Sequence, residues 1–163
     1  MASPELDVWQ GTPSQVINLG TFAFALVALC LTYPLSLVVD IGSPLGIALA
    51  VILVLPLFRA LWRWLVVKNI RYELTSQRLK THTGVFNKST DELELYRVRD
   101  YRLDRPFFLR LFALGNVVLI TSDKSNQTIK MRAIRDGHSV RESIRNTVEE
   151  LRERKEVREV DFE

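Results

Sequence analysis

Between residues 8 and 58 the chain carries one charged side chain, Asp40, and this apolar stretch constrains the fold more than any other feature. Before Asp40, residues 16–39 are uncharged and would extend as a helix for roughly 36 Å, more than a hydrocarbon core of about 30 Å. After it, residues 44–67 are uncharged as far as Phe58, which gives roughly 22 Å of purely apolar helix. Two such runs in succession predict a pair of transmembrane helices.

The second run spans a bilayer only if Arg59 and Arg63 extend their guanidinium groups to the interface while their stems stay in lipid. Tryptophans lie beside these arginines, and tryptophan is enriched at headgroup depth. We therefore predict a membrane-interface cluster made of Arg59, Trp62, Arg63, Trp64 and Lys68.

The short segment between the runs contains Asp40, Gly42, Ser43 and Pro44, which are the residue types of a tight turn. A turn this short makes the two helices antiparallel neighbours. The alternative is a buried helix pair in a soluble protein, but two adjacent runs of this length exceed the needs of a small core. No Lys or Arg precedes Arg59, so the positive-inside rule places the turn outside and both termini in the cytoplasm.

The charge balance changes along the chain. All 22 Lys and Arg lie from Arg59 onward, with all but three of the 19 acidic residues, so the part after the apolar stretch is basic. A basic segment of this kind is attracted to an anionic membrane surface. The single cysteine, Cys30, lies inside the first run, which excludes a disulfide framework, a cysteine metal site and a redox pair within one chain.

After residue 67 the hydrophobic pattern changes to alternation, which predicts short half-buried strands. These predicted strands cover residues 70–75, 78–83, 92–98, 116–121 and 128–132, with a hairpin loop at 122–126. The alternation slips at residues 99–101, which predicts a bulge or bend. Residues 105–115 begin Arg-Pro and end in Gly115, so we predict a short helical insert with that glycine as its C-cap.

An amphipathic helix is predicted near the C-terminal end, where Ser139 and Glu142 have the spacing of a capping box. Its apolar stripe consists of Val140, Ile144, Val148 and Leu151. At the other end, residues 1–15 contain prolines, a glycine and mixed polar residues. We interpret them as a weakly ordered lead-in with Trp9 at the membrane interface.

Five short motifs mark the alternating region: YELT at 72–75, RL at 78–79, TGVF at 83–86, LYRV at 95–98 and LGNVVL at 114–119. In order and spacing they resemble the bacterial pleckstrin-homology (PH) domains found beside membrane hairpins in small prokaryotic membrane proteins. The resemblance implies a strongly bent barrel of two packed sheets, closed at one end by the last helix, without established catalytic residues. In some eukaryotic relatives a basic loop between the first strands binds phosphoinositide headgroups. We take Ser76 and Gln77 as the corresponding loop, which is short and holds no Lys or Arg.

The predicted fold is a membrane α-hairpin of two transmembrane helices plus a β-rich, PH-like, partly open barrel with a C-terminal α-helix. We predict a cytoplasmic lead-in at 1–15, the hairpin at 16–67, the PH-like domain at 68–155 and a charged tail at 156–163.

The sequence shows no convincing catalytic or metal site. His82 and His138 are the only histidines, and neither has a cysteine or a paired acid at ligand spacing. No serine lies in a nucleophile elbow, and the glycines after residue 67 are isolated, so neither a hydrolase nor a phosphate-binding glycine loop is indicated. We predict a non-enzymatic protein without a metal or cofactor.

A run of basic side chains in the predicted sheet is the most suggestive group for binding anionic lipid or an acidic partner. These candidates are Lys80, Arg97, Arg99, Arg102, Arg105 and Arg110. The competing interpretation, which the interleaved acids favour, is a salt-bridged strand exterior with Glu94, Asp100 and Asp104 as partners. We expect residues 107–109, Phe-Phe-Leu, to pack in the core under the barrel, with insertion into the membrane interface as the alternative.

The predicted function is that of a membrane-anchored adaptor that binds a protein partner or the anionic lipid surface at the cytoplasmic face of the bacterial inner (plasma) membrane. The alternative is a small structural or regulatory subunit of a larger membrane protein complex. Predicted partners are membrane lipid and either another protein or a second copy bound through the hairpin. Nucleic acid is not expected, because no platform of stacking aromatics accompanies the arginines.

Overall fold

Two compact units make up the chain, as seen in a computed structural model that describes residues 5–40, 42–122 and 127–160, with side chains as far as Arg154. One unit is Gln15–Lys68. The other combines the residues before Gln15 with those after Lys68, so the N-terminal segment belongs with the C-terminal half of the chain.

The Gln15–Lys68 unit is a helical hairpin. A 3₁₀ turn (Gln15–Asn18) leads into α1 (Leu19–Ser36), and α2 follows at Pro44–Lys68. Both helices are long and apolar enough to cross a membrane. The residues buried along them are mostly small: Ala25 and Thr32 in α1, and Gly46, Leu49, Ala60 and Val67 in α2. Large apolar side chains remain exposed, including Phe24 (64%) and Leu31 (71%).

The tight turn predicted between the helices is confirmed. The Ser43 N–H donates to the Asp40 carbonyl at 3.0 Å, and the Gly42 N–H donates to the Asp40 carboxylate at 3.2 Å. Ser43 Oγ accepts the Gly46 N–H at 3.0 Å and so caps α2, whose first residue is Pro44.

The other unit is built from two antiparallel sheets and two helices. One sheet has the order β1-β2-β3-β4: β1 (Asp7–Gly11), β2 (Arg71–Thr75), β3 (Arg78–Thr83) and β4 (Ser89–Glu94). The second has the order β5-β6-β7: β5 (Val98–Asp104), β6 (Leu114–Thr121) and β7 (Thr128–Arg135). Helix α3 (Phe107–Leu111) joins β5 to β6, and α4 (Gly137–Val160) follows β7. The described residues form seven strands, whereas the alternation predicted the five ranges given above; residues 123–126 of the predicted hairpin loop lie outside the described residues.

The prediction of a weakly ordered lead-in is wrong for β1, which pairs with β2 as an edge strand. Trp9 lies opposite Leu74 and packs, partly buried, against the hydrophobic core. Its place at the membrane interface stays a prediction. This strand has only five residues, and its two apolar residues, Val8 and Trp9, are neighbours, so the sequence shows no alternation of apolar and polar residues here. The strand depends on pairing with residues far along the chain.

The whole hairpin lies in the connection between the first two strands, because β1 precedes α1 and β2 follows α2. Ser76 and Gln77 join β2 to β3, so their interpretation as the loop between the first strands is wrong.

The strand predicted at 92–98 is two strands in different sheets. A 3₁₀ turn at Leu95–Arg97 separates β4 from β5. Its first residue, Leu95, and the residue that follows it, Val98, are fully buried. The slip predicted just beyond this point is confirmed, since the register of β5 against β6 shifts between Val98 and Asp100.

Helix α3 lies where the insert was predicted but ends differently. Ala113, with a φ of 54°, adopts the left-handed conformation after the helix, and Gly115 is already a buried residue of β6. A Cβ atom on Gly115 would come within 2.9 Å of Leu103 Cδ1. The prediction of Gly115 as a C-cap is therefore wrong, and this glycine allows close packing of β6.

Helix α4 begins at Gly137, before the predicted capping box, so that box is not formed. Ser139 lies inside the helix. Glu142 accepts a hydrogen bond from the Arg141 guanidinium at 2.6 Å, and this bond lowers the pKa of the Glu142 carboxyl.

The hydrophobic core lies between the two sheets and α4. Its largest fully buried side chains include Leu74, Leu79, Leu95, Leu119, Met131, Ile134 and Ile144. The predicted stripe on α4 is confirmed, because Val140, Ile144 and Val148 are buried and Leu151 packs partly buried against them. The backbone of α4 is helical as far as Val160, and the end of the predicted tail at 161–163 lies outside the described residues.

Candidate functional site

Four of the predicted arginines follow one edge of the second sheet. Arg99 and Arg102 lie on β5, Arg105 lies just after it, and Arg110 lies on α3. β5 is an edge strand, and all four side chains are exposed. We call this group the arginine edge.

Among the described residues, no carboxylate lies within ion-pair distance of the arginine edge. Asp100 Oδ1 instead accepts a hydrogen bond from the Tyr101 N–H at 2.8 Å. The geometry therefore differs from the competing interpretation, in which Asp100 and Asp104 pair with the arginines of β5. The arginine edge keeps its donors available for an external anion.

Arg97 differs from the arginine edge. Its Nε lies 3.3 Å from the Glu94 carboxylate and donates to the Tyr96 hydroxyl at 3.2 Å. Its backbone carbonyl accepts the Ser122 N–H at 2.9 Å. For this residue the salt-bridged interpretation with Glu94 agrees with the structure, and the contacts stabilise the turn between β4 and β5.

Lys80 lies on β3, in the other sheet. Its Nζ is 3.5 Å from Glu5, which also lies 3.5 Å from Arg78, and Arg78 is 3.0 Å from Glu92. Lys80 therefore belongs to a network of mixed charge and does not join the arginine edge.

A further basic residue shares the outer face of the second sheet with Arg102. The register places Arg102 opposite Val118, and Val118 opposite Lys130, so the three side chains form a row across the sheet. Val118 is only 6% exposed, as expected if the aliphatic stems on either side cover it. Sequence reasoning missed Lys130, although the alternation at 128–132 placed it on the face opposite the buried Met131.

The positive charge is most concentrated beyond the end of β5. Asp100 and Asp104 flank Arg102 on the same face of the strand, because alternate residues of a strand point the same way. From Arg105 through Arg110, in contrast, the chain contains no acidic residue.

The same segment exposes large apolar side chains. Phe107 and Phe108 are 74% and 70% exposed, and no residue of α3 is buried. The prediction that residues 107–109 pack in the core is therefore wrong. The core between the sheets is already filled by other side chains, and α3 connects β5 to β6 outside it.

The predicted membrane-interface residues lie in the C-terminal part of α2, all exposed: Arg59, Trp62, Arg63, Trp64 and Lys68. Lys68 Nζ lies 4.5 Å from the centroid of the Trp64 ring, within cation–π distance.

Two side-chain amides that sequence reasoning missed connect the start of the hairpin to the end of α2 by hydrogen bonds. Gln15 Nε2 donates to the Trp64 carbonyl and the buried Asn18 Nδ2 to the Arg63 carbonyl, each at 3.1 Å.

In the described ranges, no group of three or more His, Cys, Asp or Glu side chains is placed to hold a metal ion. His82 Nε2 lies 3.3 Å from Glu73, and its Nδ1 lies 2.9 Å from Thr90 Oγ1. His138 Nε2 lies 3.5 Å from an Arg141 guanidinium nitrogen. Both histidines thus have contacts that explain them as surface residues.

A cleft of about 480 Å³ opens beside β1, lined in part by Trp9, Ser14, Arg135, Asp136 and Ser139. Among the described residues that line it, the charged ones are one acid and one base, so charge does not select a ligand there. The arginine edge is therefore the better candidate binding surface.

Among known protein families, one matches most of this chain. The profile of the family described as Bacterial PH domain matches residues 15–148. A solved structure that is similar to this chain is a DUF1696 family protein with a pleckstrin-homology domain from Shewanella loihica PV-4. It is 14% identical, with a TM-score of 0.42, over 50% of this chain and 73% of that one. The comparison with curated proteins found no match.

Proposed function

This chain belongs to the bacterial PH domain family, and from that premise we propose that it is a non-enzymatic, membrane-anchored adaptor. The hairpin, residues 16–67, crosses the bacterial plasma membrane twice. Residues 68–155, completed by β1, form the binding domain at the cytoplasmic face. The ligand is the anionic lipid surface of that face, bound through the arginine edge.

Membrane crossing is supported by the exposure of the hairpin. Phe24, Leu31 and Val38 are more than half exposed, whereas helices in a soluble core bury such side chains. Small residues at the contact between α1 and α2 are typical of helices that pack in lipid. The cytoplasmic orientation is supported by the basic residues that follow α2 in the chain.

The observation that carries the proposed ligand is the absence of ion pairs, among the described residues, at Arg99, Arg102, Arg105 and Arg110. Each basic residue near an anionic leaflet adds about 1 kcal/mol of attraction. Guanidinium groups also bind phosphate oxygens in pairs of hydrogen bonds.

A second candidate function is a small subunit of a larger membrane complex. A shallow depression of about 330 Å³ on α2 supports it, lined by Ile47, Ala50, Val51, Val54 and Leu55. A surface of this kind accepts a helix of another membrane protein.

Lipid retention tests the proposed ligand. The full chain is purified in mild detergent from membranes that contain phosphatidylglycerol, and bound lipid is counted by native mass spectrometry. We expect the variant with all four arginine-edge residues changed to Gln to lose most of the bound phosphatidylglycerol. The control changes Arg145 and Arg154, which pair with Glu149 and Glu150 on α4, to Gln and should retain it. Equal retention by both variants would contradict the proposed ligand.

A further inference from the structure

Helix α3 and the residue after it expose four large apolar side chains within six positions. Phe107, Phe108 and Leu111 are at least 70% exposed, and Phe112 is 44% exposed. The rings of Phe107 and Phe108 lie 5.8 Å apart in an edge-to-face arrangement. Soluble surfaces rarely carry such a concentration of apolar area without a partner.

Charged donors border this apolar group. Arg110 lines one shallow depression of about 230 Å³ together with Phe107 and Leu111. Arg105 lies just before the helix, and neither arginine has an ion pair among the described residues. The surface therefore combines apolar rings with uncompensated positive charge.

The backbone holds this surface in a fixed shape. The Arg110 N–H donates to the Pro106 carbonyl at 3.0 Å, and the Ala113 N–H donates to the Arg110 carbonyl at 3.1 Å. At the base of the segment, Asp104 pairs with Asn116 across β5 and β6. The apolar side chains are thus presented by an ordered turn, which lowers the entropic cost of binding.

An anionic bilayer matches both properties of this surface, because it places phosphate oxygens directly above hydrocarbon. A second copy of the chain is a poorer match, since two such surfaces would bring their arginines together without an acid between them. An acidic protein groove would match the charge, but the chain already carries two helices fit to hold it at a bilayer.

We propose that α3 inserts Phe107, Phe108 and Leu111 into the interfacial layer of an anionic leaflet, with Arg105 and Arg110 at the phosphate level. This inference rests on the proposed function in two respects: the hairpin keeps the PH-like unit beside a membrane, and Arg105 and Arg110 belong to the arginine edge. Insertion of α3 gives the domain a second, lipid-dependent attachment besides the hairpin.

Depth-dependent fluorescence tests the inference on the full chain. In a Cys30→Ala background, Leu111→Cys is labelled with an environment-sensitive fluorophore and reconstituted in nanodiscs of phosphatidylcholine, with or without phosphatidylglycerol. Phe86→Cys is the matched control, because Phe86 is 87% exposed in the β3–β4 connection. We expect a blue-shifted emission and several-fold stronger quenching by acyl-chain spin labels at position 111, only with phosphatidylglycerol, and a water-like signal at 86.

A signal at position 111 that matches position 86 in both lipids would overturn the inference, as would equal insertion into neutral lipid. A blue shift that follows the protein-to-lipid ratio would instead indicate a second copy. A shift that appears only when an acidic protein is added would indicate a protein partner; either result rejects the lipid assignment.

The double variant Arg105→Gln and Arg110→Gln tests the role of the two arginines. In this variant the emission and quenching at position 111 should no longer depend on phosphatidylglycerol. Failure of the proposed anchoring would look different, because the labelled chain would not incorporate into nanodiscs at all.

Discussion

Gly11 lies opposite Tyr72 on neighbouring antiparallel strands, although the entire apolar hairpin lies between them in the chain. The β1–β2 pairing therefore joins residues that the whole hairpin separates in the chain. Within the hairpin, Gln15 and Asn18 near its start donate hydrogen bonds to the Trp64 and Arg63 carbonyls near its end, so its two ends lie close together. The β-rich unit is one structure encoded in two separated segments.

The first prediction concerns β1. A soluble fragment that starts at Ile70 lacks β1 and loses the packing of Trp9 on the core. We expect it to be less stable, by about 2 kcal/mol or more, than a chain in which residues 5–14 are joined by a short linker to residues 69–163. Urea unfolding of the two proteins measures the difference. Equal stability would show that β1 is dispensable.

The second prediction concerns Gly11. A Cβ atom there would overlap the indole ring of Trp9. Gly11→Ala should therefore cost about 1–3 kcal/mol, because a tightly packed contact must shift. Gly20→Ala is the matched control, since a Cβ at Gly20 meets nothing within 4 Å. Hydrogen exchange of the β2 amides in the full chain should increase in the first variant alone.

The third prediction concerns the end of α3. Ala113 adopts a φ of 54°, which a residue with a Cβ atom occupies at a cost of roughly 1–2 kcal/mol. Ala113→Gly should stabilise the domain slightly, and Ala113→Val should destabilise it by about 1 kcal/mol or more. Thermal unfolding of both variants measures the effects, and a common direction of change would contradict the explanation.

The fourth prediction concerns the side chain of Asn116, whose Oδ1 accepts the Ala133 N–H at 2.9 Å. Asn116→Ala leaves that buried donor without its acceptor and should cost about 1–3 kcal/mol. Asn116→Asp keeps an acceptor of the same shape and should cost clearly less. Urea unfolding measures the two losses. If both substitutions lower the free energy of unfolding by the same amount, the hydrogen bond to Ala133 is not the source of the stability.

The fifth prediction concerns alkaline pH. Burial raises the pKa of Tyr72 above its ordinary value, an effect that nearby Arg132 partly offsets. The unfolded phenol ionises near pH 10, whereas the folded one still holds its proton. The stability linked to this group is therefore complete below about pH 10 and is lost as the pH rises through the folded pKa. The phenolate absorbance of the wild type minus that of Tyr72→Phe measures the ionisation of Tyr72. We expect this difference to appear at a pH above the ordinary tyrosine pKa. A difference curve centred at the ordinary tyrosine pKa would contradict the prediction.

Patterns within short stretches of sequence correctly predicted the elements that depend mainly on neighbouring residues. The apolar stripe of α4, the turn at Asp40 and the slip near Asp100 could all be read from composition and periodicity. The strand at Asp7–Gly11 could not, because its pairing partner lies beyond the hairpin and its five residues do not alternate. The family match likewise begins after this strand, at residue 15.

The candidate surface was predicted only in part, for a related reason. Charge spacing identified the basic residues, but which of them had ion pairs depended on strand register. In the folded chain Lys80 lies 3.5 Å from Glu5, whereas Arg102 lies opposite the apolar Val118 and has no ion pair among the described residues. The exposure of Phe107 and Phe108 was also missed, since apolar composition alone does not distinguish core packing from a surface that binds lipid.

Cysteine accessibility in intact bacteria tests the central claim, that a hairpin inserted between β1 and β2 fixes the PH-like unit to the cytoplasmic face of the membrane. In a Cys30→Ser chain, Gly42→Cys tolerates the new side chain, because a Cβ there keeps ordinary contact distances. We expect a membrane-impermeant maleimide to label position 42 in intact cells and Phe86→Cys only after permeabilisation. Labelling of position 86 from outside, or recovery of the full chain in the soluble fraction, would contradict the account.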